Sequence, residues 1–214
     1  LYRVMNGNWQ LSDEWGDEIG KDWNGLNWEG LAGLIEDIKE IRLQEPEKQN
    51  MYKLSFYTDP NVDHQLLIKN IRTILASEGV PANIIWSVDE IGTNGLIDVV
   101  PARANKLHAI RFLLLQEQFS DDRAVFAGDS GNDLDVLTSG LQSILVKNAD
   151  DQIRREAIEI LTDKKMLNRL FLPKGKFWGM NGNYAAGVLE GLVHYIPEAG
   201  ELIARAVEAV GSDC

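Results

Sequence analysis

The segment Phe126-Ala127-Gly128-Asp129-Ser130-Gly131-Asn132-Asp133 gathers two carboxylates, a hydroxyl and an amide into one turn after a short apolar run. Oxygen donors at that density suit a hard cation. Mg²⁺ typically takes one or two carboxylates and fills its shell with water and phosphate oxygens. Asp129 and Asp133 are therefore candidate metal ligands, Asp129 directly and Asp133 directly or through water. Gly131 would let the backbone approach a phosphate closely. Read without a ligand, the same residues make a polar turn in which Asn132 or Asp133 caps a helix. The pattern is not an EF-hand, because the twelfth position from Asp129 is Gly140 rather than Glu. It is not a P-loop, because no Gly-Lys-Ser/Thr follows the glycines.

Lys106 is the second candidate. It opens an expected helix just after the extended run Asp98-Val99-Val100-Pro101. A cation in the first turn opposes the helix dipole, whereas a point charge aimed at a phosphoryl oxygen stabilises phosphoryl transfer. The alternative is a solvated surface lysine.

The elements that must position these groups fall into two rhythms. Four tryptophans (Trp9, Trp15, Trp23, Trp28) sit among acidic residues in the first thirty positions. They read as anchors of an irregular segment, with a sugar-stacking or partner surface as the alternative. Apolar spacing predicts a helix over 31–41, a strand over 52–57, a helix from Val62 to Leu75, and strands over 84–88 and 96–100 around Gly92-Thr93-Asn94-Gly95. That is a small α+β unit at 8–103. Beyond it, helices at 104–118, 132–139 and 150–160 alternate with short apolar strands at 124–127 and 143–146, the signature of a parallel sheet with crossover helices. Helices follow at 183–195 and 198–210. In an open α/β sheet, ligands bind beyond the carboxyl ends of the strands, which is where Asp129 falls. His64 and His108 are expected on exposed helix faces and His194 in a packed one. Gly175-Lys176-Phe177-Trp178-Gly179 reads as a surface loop, with contact to a sugar phosphate as the alternative.

The composition narrows the function. The 214 residues carry 21 Lys plus Arg against 33 Asp plus Glu, a net charge of −12. That excludes nucleic acid as the main partner, because phosphate backbones require clustered cations. No apolar run approaches the ~20 residues that span a bilayer. Cys214, the single cysteine, rules out a disulfide framework. With nothing that reads as a signal peptide, a cytoplasmic protein is expected.

Taken together, Asp98-Val99-Val100-Pro101 running to Asn105-Lys106, followed by a strand ending in Gly-Asp-Ser-Gly-Asn-Asp, resembles the haloacid dehalogenase superfamily of phosphatases. Tyr52-Lys53-Leu54-Ser55-Phe56-Tyr57 before Asp59-Pro60, and the stretch 182–191, are similar to its sucrose-phosphate phosphatase branch. The resemblance implies an α/β fold: a Rossmannoid parallel-sheet core, 104–214 forming its C-terminal part, with a C2-type α+β cap at 8–103. It implies a Mg²⁺-dependent phosphomonoester hydrolase acting through an aspartyl-phosphate. Sucrose 6-phosphate is the expected substrate, with mannosylfructose phosphate or glucosylglycerol phosphate as variants. Lys106 would hold a phosphoryl oxygen and Asp129 the metal, supported by Asp133. Asn132 and, from the cap, Lys53 would contact substrate. The Asp-x-Asp-x-Thr nucleophile motif of that superfamily is not found upstream of the cap-like unit. The resemblance therefore implies further residues before Leu1, without which residues 1–214 should not turn over. A monomer is expected for the longer protein. The alternative is an inactive phosphatase-like regulatory module, and association with a sucrose-phosphate synthase is a further expectation.

Overall fold

Asn6 and Gly7 both take left-handed backbone, φ 52° and 79°, the geometry of a two-residue hairpin turn. They join β1 (Tyr2–Met5) to β2 (Asn8–Leu11), with Tyr2 opposite Leu11 and Val4 opposite Trp9. In place of an irregular start, this hairpin is followed by α1 (Asp13–Gly20), whose first turn is capped by Ser12, and α2 (Trp28–Leu34), capped by Asn27. The anchoring role of the tryptophans holds for Trp15 and Trp23, which are buried, and for Trp28, which packs on the core, while Trp9 is exposed. The computed structural model describes residues 1–89 and 91–211, so Cys214 lies outside the described residues.

The first of two units, Leu1–Ala109, is built on an antiparallel sheet. Its strands are β3 (Ile41–Leu43), β4 (Leu54–Thr58), β5 (Ala82–Val88) and β6 (Gly95–Pro101), in the order β3-β4-β6-β5. Helix α3 (His64–Ser77) lies between β4 and β5 in sequence. Leu54 and Phe56 of β4, Ile97 and Val99 of β6, and Ile84 of β5 share a core with Leu67, Ile71 and Leu75 of α3 and with Leu31, Ile35 and Trp23. The expected helix over 31–41 is corrected here. It stops at Leu34, and Ile41 instead opens β3, paired with Thr58. Ile35, Ile38 and Ile41 still face the core, so the apolar spacing was obeyed by a turn plus a strand rather than by a helix. The strand expected from Tyr52 starts at Leu54, because Asn50 and Lys53 bond to each other across a tight turn.

The second unit begins at Ile110, inside α4 (Lys106–Gln116). Strands β7 (Val125–Gly128), β8 (Gln142–Leu145) and β9 (Leu170–Phe171) form a parallel sheet in that order. Helices α5 (Leu134–Leu137) and α6 (Asp151–Asp163) supply the two crossovers. Periodicity did not reveal β9, since two residues carry no period. Helices α7 (Tyr184–Tyr195) and α8 (Glu198–Gly211) complete the unit. No helix among the described residues is long and apolar enough to cross a membrane.

Helix α7 meets its surroundings through glycine. A Cβ on Gly191 would lie 2.4 Å from Ile144 of β8, and one on Gly187 only 2.2 Å from the Gly182 carbonyl oxygen. An open helical site gains up to ~1 kcal/mol from Gly→Ala. Gly187→Ala should instead lower stability by about 1–3 kcal/mol, because a backbone carbonyl cannot rotate away as a side chain can. A thermal melt reads this directly; an unchanged or raised midpoint would contradict the packing.

Candidate functional site at the carboxyl end of the parallel sheet

The chain leaves β7 at Gly128 and folds back at once through a 3₁₀ turn, Gly131–Asp133, into α5. Asp133 makes that turn. Its Oδ2 accepts from the Asp129 N–H at 3.2 Å, the Ser130 N–H at 3.4 Å and the Ser130 hydroxyl at 3.0 Å. Ser130 and Asp133 form a reciprocal capping box. Asp133 is buried, and its approach requires glycine before it: a Cβ on Gly128 would sit 2.7 Å from the Asp133 Cβ. Asn132, exposed, accepts the Ser130 hydroxyl at 2.7 Å.

Asp129 differs in kind. It is exposed, and its carboxylate makes no hydrogen bond or ion pair among the described residues. Asp129 and Asp133 line one cavity of about 200 Å³ with Ala127, Gly128, Val146, Tyr184 and Val188. No group of three or more His, Cys, Asp or Glu side chains that could hold a metal gathers among the described residues. The donor set nonetheless suits a cation that takes one or two protein carboxylates and completes its shell with water and phosphate oxygens. Asp129 offers free oxygens for it. Asp133 has one oxygen committed to the turn, so it positions Asp129 whatever else it does.

Lys106 and Lys53 belong to the first unit. Lys106 is the first residue of α4, exposed. Asn105 sets it there by accepting the His108 N–H at 2.9 Å and donating to the Ala102 carbonyl at 3.1 Å. Buried Asp22 fixes the preceding segment, accepting the Arg103 N–H at 2.7 Å. Lys53 sits on the sheet face opposite the core, 3.1 Å from Asp98 Oδ1. The same oxygen accepts the Ser55 hydroxyl at 2.6 Å. Sequence reasoning found Lys53 but missed Ser55 and Asp98, which meet only because β4 and β6 pair in this register.

Two histidine expectations are corrected. His108 is half-buried, its Nε2 3.0 Å from Glu18 Oε1, and it joins α4 to α1. Glu18 is held below the usual carboxylate range, first by the hydrogen bond from Lys21 and then by that from His108. His64 stacks on Trp86 at 4.3 Å. His194 stacks on Phe171 at 4.4 Å, in keeping with a packing role. Lys176 and Trp178 lie in an exposed loop that Glu190 anchors, its two carboxylate oxygens accepting the Lys174 and Gly175 N–H groups at 2.8 and 3.0 Å.

Comparison with known proteins agrees with this geometry. The model of the sucrose-6F-phosphate phosphohydrolase family matches residues 3–196. A HAD-like hydrolase of Nitrosococcus oceani is 51% identical over 198 residues, which is 92% of this chain and 53% of that protein. The chain thus spans about half the length of that relative. The mannosylfructose-phosphate phosphatase of Agrobacterium fabrum is 26% identical over 172 residues, 80% of this chain and 61% of that one. Among solved structures, the sucrose-phosphatase of Synechocystis, in complex with sucrose and phosphate, superposes with a TM-score of 0.59 at 19% identity, covering 91% of this chain and 70% of the other. That likeness shows the fold. The sequence, the parallel sheet with its Gly-Asp-Ser-Gly-Asn-Asp turn and the match over 3–196 lead to one conclusion: the chain belongs to the sucrose-6F-phosphate phosphohydrolase family of the haloacid dehalogenase superfamily.

Proposed function

We propose that these residues form the cap and the C-terminal core of a Mg²⁺-dependent phosphomonoester hydrolase for a sugar phosphate, sucrose 6-phosphate first and mannosylfructose or glucosylglycerol phosphate as variants. The observation that carries the reading is the turn 129–133, which presents at the carboxyl end of a parallel strand the carboxylate of Asp129, without a partner among the described residues. Asp129 would hold the cation, and Asp133 would keep it in place. When bound, Mg²⁺ neutralises charge on the phosphoryl oxygens as phosphorus is attacked. Lys106 would add a fixed positive charge against one of those oxygens. Asn132 and Lys53 would contact the substrate, Lys53 from the open face of the cap sheet. The attacking aspartate would come from a strand beside β7, whose outer edge has no partner among the described residues.

The test is phosphate release from a panel of sugar phosphates by the full-length protein. Turnover should require Mg²⁺, stop when the metal is chelated by EDTA and return when Mg²⁺ is restored in excess. Hydrolysis that survives exhaustive chelation would remove the metal from the reading, and no hydrolysis of any sugar phosphate would remove the function.

A further inference from the structure

Tyr184 opens α7 with φ 46°. Left-handed backbone crowds a Cβ against the following carbonyl, so it is left to glycine wherever possible. The loop before α7 uses glycine at three such positions, Gly175, Gly179 and Gly182 at φ 76°, 74° and 81°, and a bulky residue at one, Trp178 at φ 45°. Tyr184 is a second bulky exception, and the one that lines the cavity with Asp129. Asn148, just past the end of β8, holds the conformation by accepting the Tyr184 N–H at 2.7 Å. Burial does not offset the strain, since Tyr184 remains 69% exposed. Its hydroxyl bonds to nothing among the described residues. The side chain therefore sits where glycine would fit better, without contributing to a core. What it does contribute is a wall: Tyr184 and, one turn on, Val188 line the cavity that contains Asp129 and Asp133. An unusual backbone held by a specific partner beside a reactive group is where a functional role is expected.

We infer that Tyr184 is a substrate-contacting, specificity-determining residue. Its ring lies against the apolar C–H face of the sugar while the phosphate is at Asp129, and its hydroxyl bonds a sugar hydroxyl. The inference rests on the sugar-phosphatase reading above and adds to it the group that reads the sugar from the core side.

Tyr184→Gly and Tyr184→Phe in the full-length protein test it, with acetyl phosphate as a substrate that carries no sugar. Tyr184→Gly relieves the backbone, so its melting midpoint should stay within about 2 °C of the parent or rise. Its KM for the sugar phosphate should rise at least about tenfold, with kcat/KM for acetyl phosphate unchanged. Tyr184→Phe should lose only the hydroxyl's share, about two- to fivefold. An unchanged KM for the sugar phosphate in Tyr184→Gly would overturn the inference. So would equal losses on both substrates with a lowered midpoint, the mark of a merely structural residue. Failure of the underlying reading shows itself separately, in a parent protein that hydrolyses no sugar phosphate, and takes the inference with it.

Discussion

Asp129→Ala in the full-length protein should lower phosphate release roughly 10³-fold, the equivalent of about 4 kcal/mol of transition-state stabilisation when a metal's charge is lost. The fold should barely register the change. Asp129 is exposed, its carboxylate has no partner among the described residues, and only its backbone N–H is used by the turn. Surface substitutions of that kind stay within about 0.5 kcal/mol. The paired measurement is kcat/KM against a thermal melt. Activity within tenfold of the parent would dismiss Asp129 as the metal ligand.

Asp133→Ala should behave in the opposite way. It strips the acceptor from two backbone N–H groups and a hydroxyl at a buried position. Hydrogen bonds to a charged acceptor contribute about 1.5–3 kcal/mol, and buried donors left unsatisfied add to the loss. A destabilisation of about 2–4 kcal/mol is expected, on the order of 10–20 °C in the melting midpoint of a unit this size. Activity falls with it, because the turn that presents Asp129 is no longer fixed. Asp133→Asn keeps the volume and one acceptor oxygen, and should cost about 1–2 kcal/mol. A variant Asp133→Ala that melts with the parent would refute the structural role given to this carboxylate. The two aspartates, four residues apart, would then be separated by experiment into one that does chemistry and one that holds it.

The turn was legible in the sequence because its information is local. The apolar run, the glycines and the crowded carboxylates that mark it as a polar turn all lie within eight residues, although the cap expected at Asn132 or Asp133 falls instead on Ser130, with Asp133 as its reciprocal partner. The parallel strands β7 and β8 were legible for the same reason, as short apolar runs between helical periods. What escaped depends on partners distant in the chain. Ser55 meets Asp98 through strand register, and Tyr184 meets Asn148 through the close of β8 onto α7. Strand β3 was hidden because isoleucines at 35, 38 and 41 satisfy a helical period and a turn-plus-strand equally well, and pairing with β4 decides between them. The Asn6-Gly7 hairpin was a different kind of miss. Its Asn-Gly turn signal is local, but every residue of β2 is exposed, so no buried face marks the strands on either side as a pair.

The placement of the tryptophans has a spectroscopic corollary. Five of the six, Trp9, Trp15, Trp23, Trp28 and Trp86, belong to the unit that ends at Ala109, and only Trp178 belongs to the other. Trp23 is wholly shielded and Trp15 nearly so, whereas Trp178 is already about half exposed in the folded protein. The red shift of emission on denaturation therefore reports the antiparallel unit almost alone. Loss of the parallel sheet in Asp133→Ala would pass nearly unseen in an emission scan and would be recorded by far-ultraviolet ellipticity.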